Sequence, residues 1–160
     1  MQQDGKRQDI YRNKDERVLM ATIADIEDDI ITAIKALELD GNTPFRVVES
    51  VGRKKPPVTL NYPACFVYFA GDINTGGKPR PIYQTVFECL ISVKNLAAEK
   101  AAADSVYTLI DAVRDAIEGK DLGNADIEPF MCMSRELSDY EDGVISYVVK
   151  FQTRHYLPVP

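Results

Sequence analysis

Residues 83–119 carry a strand pattern that passes almost directly into a helix pattern. Thr85, Phe87, Cys89, Ile91 and Val93 alternate with Gln84, Glu88, Ser92 and Lys94, and that period of two predicts a half-buried strand. Further on, Ala98, Ala102, Val106, Leu109, Ile110, Val113 and Ile117 fall on one stripe, with Asp104, Asp111, Arg114 and Glu118 opposite. This is an amphipathic helix, and Gly119 sits where a left-handed cap is wanted. An earlier helix is expected over 22–39, where Ile23, Ile26, Ile30, Ala33, Ile34 and Leu37 keep the helical spacing,. Thr22 with Asp25 resembles a cap, and Asp25, Glu27, Asp28 and Asp29 crowd the positive end of the dipole. Asp40, Gly41 and Asn42 stop the helix.

The remaining segments read as strands and connections. Residues 45–51 predict a short strand, followed by an irregular stretch with Gly52, Pro56 and Pro57,. Residues 63–70 are almost continuously apolar or aromatic, as in a central strand covered on both faces. Residues 71–82 hold Gly76, Gly77, Pro79 and Pro81, so a long connection is expected there, at the tip of a hairpin. After a turn at 121–125, residues 127–137 and 144–156 form the last strand pair, joined by a polar loop at 138–143. In the final strand Ile145, Tyr147, Val149, Phe151 and Thr153 share a face, opposite Ser146, Lys150, Gln152 and Arg154. The order helix, strand, strand, strand, helix, strand, strand predicts an α+β fold, a mostly antiparallel sheet of about five strands with two amphipathic helices packed on it. Residues 1–19 lack apolar periodicity and read as a polar N-terminal arm, flexible or ordered only on assembly; residues 20–160 read as one domain.

Composition narrows the function. With 160 residues and 45% apolar content the chain can bury a real core,. No run of about 18 apolar residues suggests a membrane span, and residues 1–17 are too charged for a signal peptide, so use in a cytoplasm is expected. Nineteen basic against 25 acidic residues leave a net charge of -6, which argues against a domain built to grip phosphate backbones. Cys65, Cys89 and Cys132 are far apart and odd in number, which fits buried, reduced thiols in strands better than zinc or disulfides.

The chemical readings are thin. His155 is the sole histidine, and it is expected on the surface at a strand end, without a metal or catalytic role. The stretch from Gly71 to Lys78 fails as a phosphate loop: its spacing is one residue too long, Pro79 replaces the hydroxyl residue, and a strand follows,. Its glycines and prolines are better read as a mobile hairpin tip, with Lys78 and Arg80 available for a protein partner or a nucleic acid passing nearby. Arg53, Lys54 and Lys55 form a second basic cluster, and Asp139, Glu141 and Asp142 an acidic turn with too few ordered oxygen ligands for calcium,. No catalytic, cofactor or metal residues are assigned. Acidic and basic loops on one small domain suit heterologous contacts between identical subunits.

Three segments together resemble the small tail proteins of Mu-like, contractile-tailed bacteriophages and prophages that act as tail terminators. The first is the strand Tyr62-Pro63-Ala64-Cys65-Phe66-Val67-Tyr68-Phe69-Ala70-Gly71. The second is Ile91-Ser92-Val93-Lys94-Asn95-Leu96, running into Ala101, Ala102, Tyr107, Leu109, Ile110, Val113, Arg114, Ile117 and Gly119, then Leu122-Gly123. The third is the ending Tyr147-Val148-Val149-Lys150-Phe151-Gln152-Thr153-Arg154-His155-Tyr156. The match covers residues 20–156; the N-terminal arm and the 71–82 connection depart from it. The resemblance implies a subunit of a homo-oligomeric ring, a hexamer, on the head-proximal end of the tail tube. Such a ring stops growth of tube and sheath, docks to the head connector in the neck, and lets DNA pass without holding it. The protein is then expected in the host cytoplasm during assembly and in the virion afterwards. The expected contacts are Lys78, Arg80, Arg53, Lys54, Lys55, Asp139, Glu141 and Asp142. A head-completion or connector-adaptor subunit is the main alternative, and a small enzyme with a loop-built site a remote one.

Overall fold

The computed structural model describes residues 21–51, 61–78, 80–94 and 99–156; the N-terminal arm and Ala98 lie outside them. Helix α1 (Ile23–Lys35) begins with a reciprocal cap. The Asp25 amide donates to the Thr22 hydroxyl at 3.2 Å, and the Thr22 amide donates to the Asp25 carboxylate at 2.7 Å,. These bonds to Thr22 hold the Asp25 carboxyl below its ordinary range,. The helix ends at Lys35, short of the expected Leu39, and Asp40 and Gly41 then turn the chain with φ of 52° and 76°.

The strands are β1 (Val47–Ser50), β2 (Ala64–Asn74), β3 (Ile82–Lys94), β4 (Met131–Glu141) and β5 (Val144–Tyr156), with helix α2 (Glu99–Ile117) between β3 and β4. They form one five-stranded sheet in the order β1-β2-β3-β5-β4. β1 runs parallel to β2 and the other pairings are antiparallel, which makes this an α+β fold. Both helices lie on one face, α1 over β1 and β2 and α2 over β3 and β5. Ile26, Ile30 and Ile34 of α1 and Val106, Ile110, Val113 and Ile117 of α2 meet Cys89, Ile91, Val149 and Phe151 of the sheet. Burial of each such aliphatic side chain stabilises the fold by roughly 1.5–3 kcal/mol. Gly119 caps α2 as expected, with φ of 73°, and its N–H donates to the Phe130 carbonyl at 2.8 Å.

Further sequence expectations need correction. The centre of the sheet is β3, not the apolar segment 63–70, although Ala64, Cys65, Phe66, Val67 and Tyr68 are buried on both faces. β2 runs on to Asn74, so the long connection shrinks to a tip between Asn74 and Ile82. β4 starts at Met131 and continues to Glu141, which leaves Asp142 and Gly143 as a two-residue turn with φ of 51° and 75°; that pair of positive angles suits Asp-Gly in a hairpin of matching twist. Finally, β3 is not half-buried: Glu88, Leu90 and Ser92 on its helix-free face are buried too, and Leu90 packs with Phe66, Tyr68 and Val148. Cys65 and Cys89 are buried free thiols, while Cys132 is only half-buried.

Candidate assembly interface

β4 is an edge strand, and its two bulges decide what it displays. The register with β5 shifts between Cys132 and Ser134 and again between Leu137 and Asp139. Each extra residue resets the alternation. As a result Cys132, Arg135, Leu137 and Tyr140 stand opposite Phe151, Val149, Tyr147 and Ile145, all on the helix-bearing face. The helices cover β5 but not the outer part of β4, so Leu137 is 58% exposed and Tyr140 49%.

Between α2 and β4 lies an open groove of about 250 Å³ lined by Tyr107, Ile110, Asp111, Arg135 and Tyr147. The Tyr107 and Tyr147 rings meet edge-on at 5.8 Å, with their hydroxyls 3.4 Å apart. That hydrogen bond, followed by burial, raises the Tyr147 phenol above its ordinary pKa. Arg135 bonds Asp111 at 3.2 Å, and Asp111 also faces Arg114 at 3.3 Å, so the groove's charges are paired within the chain. Exposed apolar side chains beside an unpaired strand edge mark a surface that another chain can cover.

The acidic residues of the sequence reading belong to this edge. Asp139 and Glu141 are exposed on β4 and Asp142 is exposed in the turn beyond it. Lys78 and Arg80 are exposed at the β2–β3 tip, which lies at the other end of the sheet: Asn74 pairs with Tyr83 there, whereas at the acidic end Val144 pairs with Glu141 on one side and Lys94 on the other. The fold therefore gathers each charge group and keeps the two apart. Arg53, Lys54 and Lys55 lie outside the described residues. The groove side chains Tyr107 and Arg135 and the exposed Leu137 and Tyr140 beside them were missed by sequence reasoning; for the three in β4 the reason is that a regular alternation cannot reveal bulges. The signal available was the weak apolar content of β4 itself.

His155 is not on the surface. It is 2% exposed, and its Nε2–H donates to the Ala21 carbonyl at 3.0 Å, while the Ala21 amide donates to Asp126 Oδ2 at 2.9 Å. The imidazole thus holds the start of the described fold. Among the described residues no group of three or more His, Cys, Asp or Glu side chains is placed to hold a metal, and no helix is long and apolar enough to cross a membrane.

Residues 54–159 match a family described as phage tail terminator protein. Among solved structures, a chain in the virion of a native gene transfer agent particle is similar in fold, with a TM-score of 0.56 and 14% identity, covering 82% of this chain and 95% of that chain. No match was found among curated proteins.

Proposed function

Since the chain belongs to the phage tail terminator family and is a structural protein of a phage tail, we propose that it closes the head-proximal end of the tail tube as a hexameric ring. In that role it stops growth of tube and sheath in a contractile tail and offers the surface on which the head connector docks in the neck. The observation that carries the reading is the edge strand β4, inside the family match, with Leu137 and Tyr140 exposed beside the α2 groove. A subunit that polymerises into a closed ring needs such a surface, and a copy of the chain can bury it. The net charge of -6 suits a lumen through which DNA passes without being retained.

The test is negative-stain imaging of the purified protein alone and mixed with purified tail tubes. Rings capping one end of the tubes, together with overlong tails when the gene is deleted from its phage, are expected. A monomer that ignores tubes but binds portal-containing heads would replace this reading with that of a connector adaptor.

A further inference from the structure

We propose that the β2–β3 tip of one copy seats on the edge strand β4 and its acidic end in the next copy, making one repeated head-to-tail contact. The inference rests on the ring reading above and names the two surfaces that build it.

The first surface is the edge just described, where Leu137, Tyr140 and Tyr107 are exposed on the helix-bearing side, and Asp139 and Glu141 on the opposite face of β4, with Asp142 in the turn, supply negative charge that no ion pair among the described residues neutralises. The second is the hairpin tip. Ile73 there is 69% exposed, and Lys78 and Arg80 follow it, both exposed. An apolar side chain with two cations is the complement of an edge strand that shows apolar groups on one face and carboxylates on the other, and opposite fields of this kind set register and partner choice.

The two ends of the tip are tied together by hydrogen bonds. The Thr75 amide donates to the Ile82 carbonyl at 2.9 Å, the Ile82 amide to the Gly76 carbonyl at 3.0 Å, and the Gly76 amide to Asn74 Oδ1 at 2.8 Å. Ends already held in this way lose less entropy on docking. Within one chain the two surfaces cannot meet, because they occupy opposite ends of the sheet with β3 and β5 between them. Two different patches on one molecule give a heterologous contact that repeats from copy to copy and closes into a ring when the rotation permits.

Two charge-reversed full-length variants test this. One carries Lys78→Glu with Arg80→Glu, the other Asp139→Lys with Glu141→Lys; Asp142 is kept because the turn needs its left-handed backbone. Ring formation is imaged in solution and on purified tail tubes. Each variant alone is expected to form no rings, and an equimolar mixture to restore them, since every reversed tip then faces a reversed edge and every native tip a native one. Rings from either variant alone, or none from the mixture, overturn the contact. If a reversal unfolds the chain, the neutral pairs Lys78→Gln with Arg80→Gln and Asp139→Asn with Glu141→Asn decide: each should weaken assembly and reduce its sensitivity to salt, and unchanged assembly overturns the proposal. Wild-type protein that caps tubes while all variants behave like it sinks the contact alone. Wild-type protein that forms no rings and leaves tubes uncapped sinks the ring reading and the contact with it.

Discussion

The Tyr68 hydroxyl donates a hydrogen bond to Oε2 of Glu88 across the β2–β3 ladder, on the sheet face that carries neither helix. Both side chains are buried, and Lys150 Nζ stands 3.5 Å from the other carboxylate oxygen. Glu88 therefore serves two donors at once. Glu88→Ala leaves the phenol without its acceptor and the ammonium without its counter-charge, and is expected to lower unfolding stability by about 1–3 kcal/mol. Glu88→Gln retains an acceptor for Tyr68 and should cost less. Urea unfolding midpoints of the two variants check the order.

Alkaline pH should unfold the protein through its tyrosines. Burial, and then Glu88, push the Tyr68 phenol well above its ordinary value. The hydrogen bond with Tyr107 raises Tyr147, and that with Glu128 raises Tyr156. A raised folded-state pKa means that the unfolded chain releases these protons first. The stabilisation is fully present below about pH 10, the ordinary tyrosine value, and is lost as pH rises through the folded-state values. Ultraviolet titration should show tyrosines that ionise only together with loss of structure. Ionisation of all tyrosines near pH ~10 in an intact fold would contradict this.

Thr85 is fully buried and its Oγ1 has no hydrogen-bond partner among the described residues. Opposite it, the Thr153 hydroxyl donates to the Glu128 carbonyl at 2.5 Å. The two threonines should respond in opposite directions to the same change. Thr85→Val removes an unsatisfied hydroxyl at equal volume and is expected to stabilise the fold by about 1 kcal/mol, or roughly 2–4 °C in Tm. Thr153→Val breaks a satisfied bond and should destabilise it. Differential scanning calorimetry of both variants measures the signs.

Gly77 shapes the hairpin tip. Its φ is 115°, and a Cβ built there would lie 2.3 Å from the Arg80 carbonyl oxygen, so no side chain fits without moving the backbone. Gly77→Ala should displace Lys78 and Arg80 while barely changing thermal stability, because the tip is exposed. Calorimetry should therefore give a near-wild-type Tm in a variant whose rings no longer form under the electron microscope.

Local chemistry made part of this architecture readable. The Thr22–Asp25 cap, the left-handed Gly119 and the alternation of β3 each depend on a few neighbouring residues, and each stands where the sequence predicts. What escaped depends on distant partners. His155 looked like a surface residue because its acceptor, Ala21, lies 134 positions away. Glu88 and Ser92 looked solvent-facing because the second buried face exists only after Phe66 and Tyr68 pair beside them. The ends of β4 were misplaced because two bulges break its period,. Of the expected contact residues, Lys78, Arg80, Asp139, Glu141 and Asp142 are exposed as expected. Their separation to opposite ends of the sheet required the strand order, which no local pattern contains.

Leu137 and Tyr140 should matter to assembly and hardly at all to folding. They are 58% and 49% exposed, so their replacement removes little buried area and should change stability by no more than about 0.5 kcal/mol. In an assembled ring the same side chains would be covered, and each fully buried aliphatic or aromatic group contributes roughly 1.5–3 kcal/mol to the contact. Because a closed ring repeats its interface at every subunit, the loss recurs at each one. The double variant Leu137→Ser with Tyr140→Ser is therefore expected to melt like the wild type, elute as a monomer in size-exclusion chromatography with light scattering, and leave tail tubes uncapped. A double variant that still forms rings would place the subunit contact elsewhere on the sheet, whereas a large drop in Tm would mean that these side chains belong to the core.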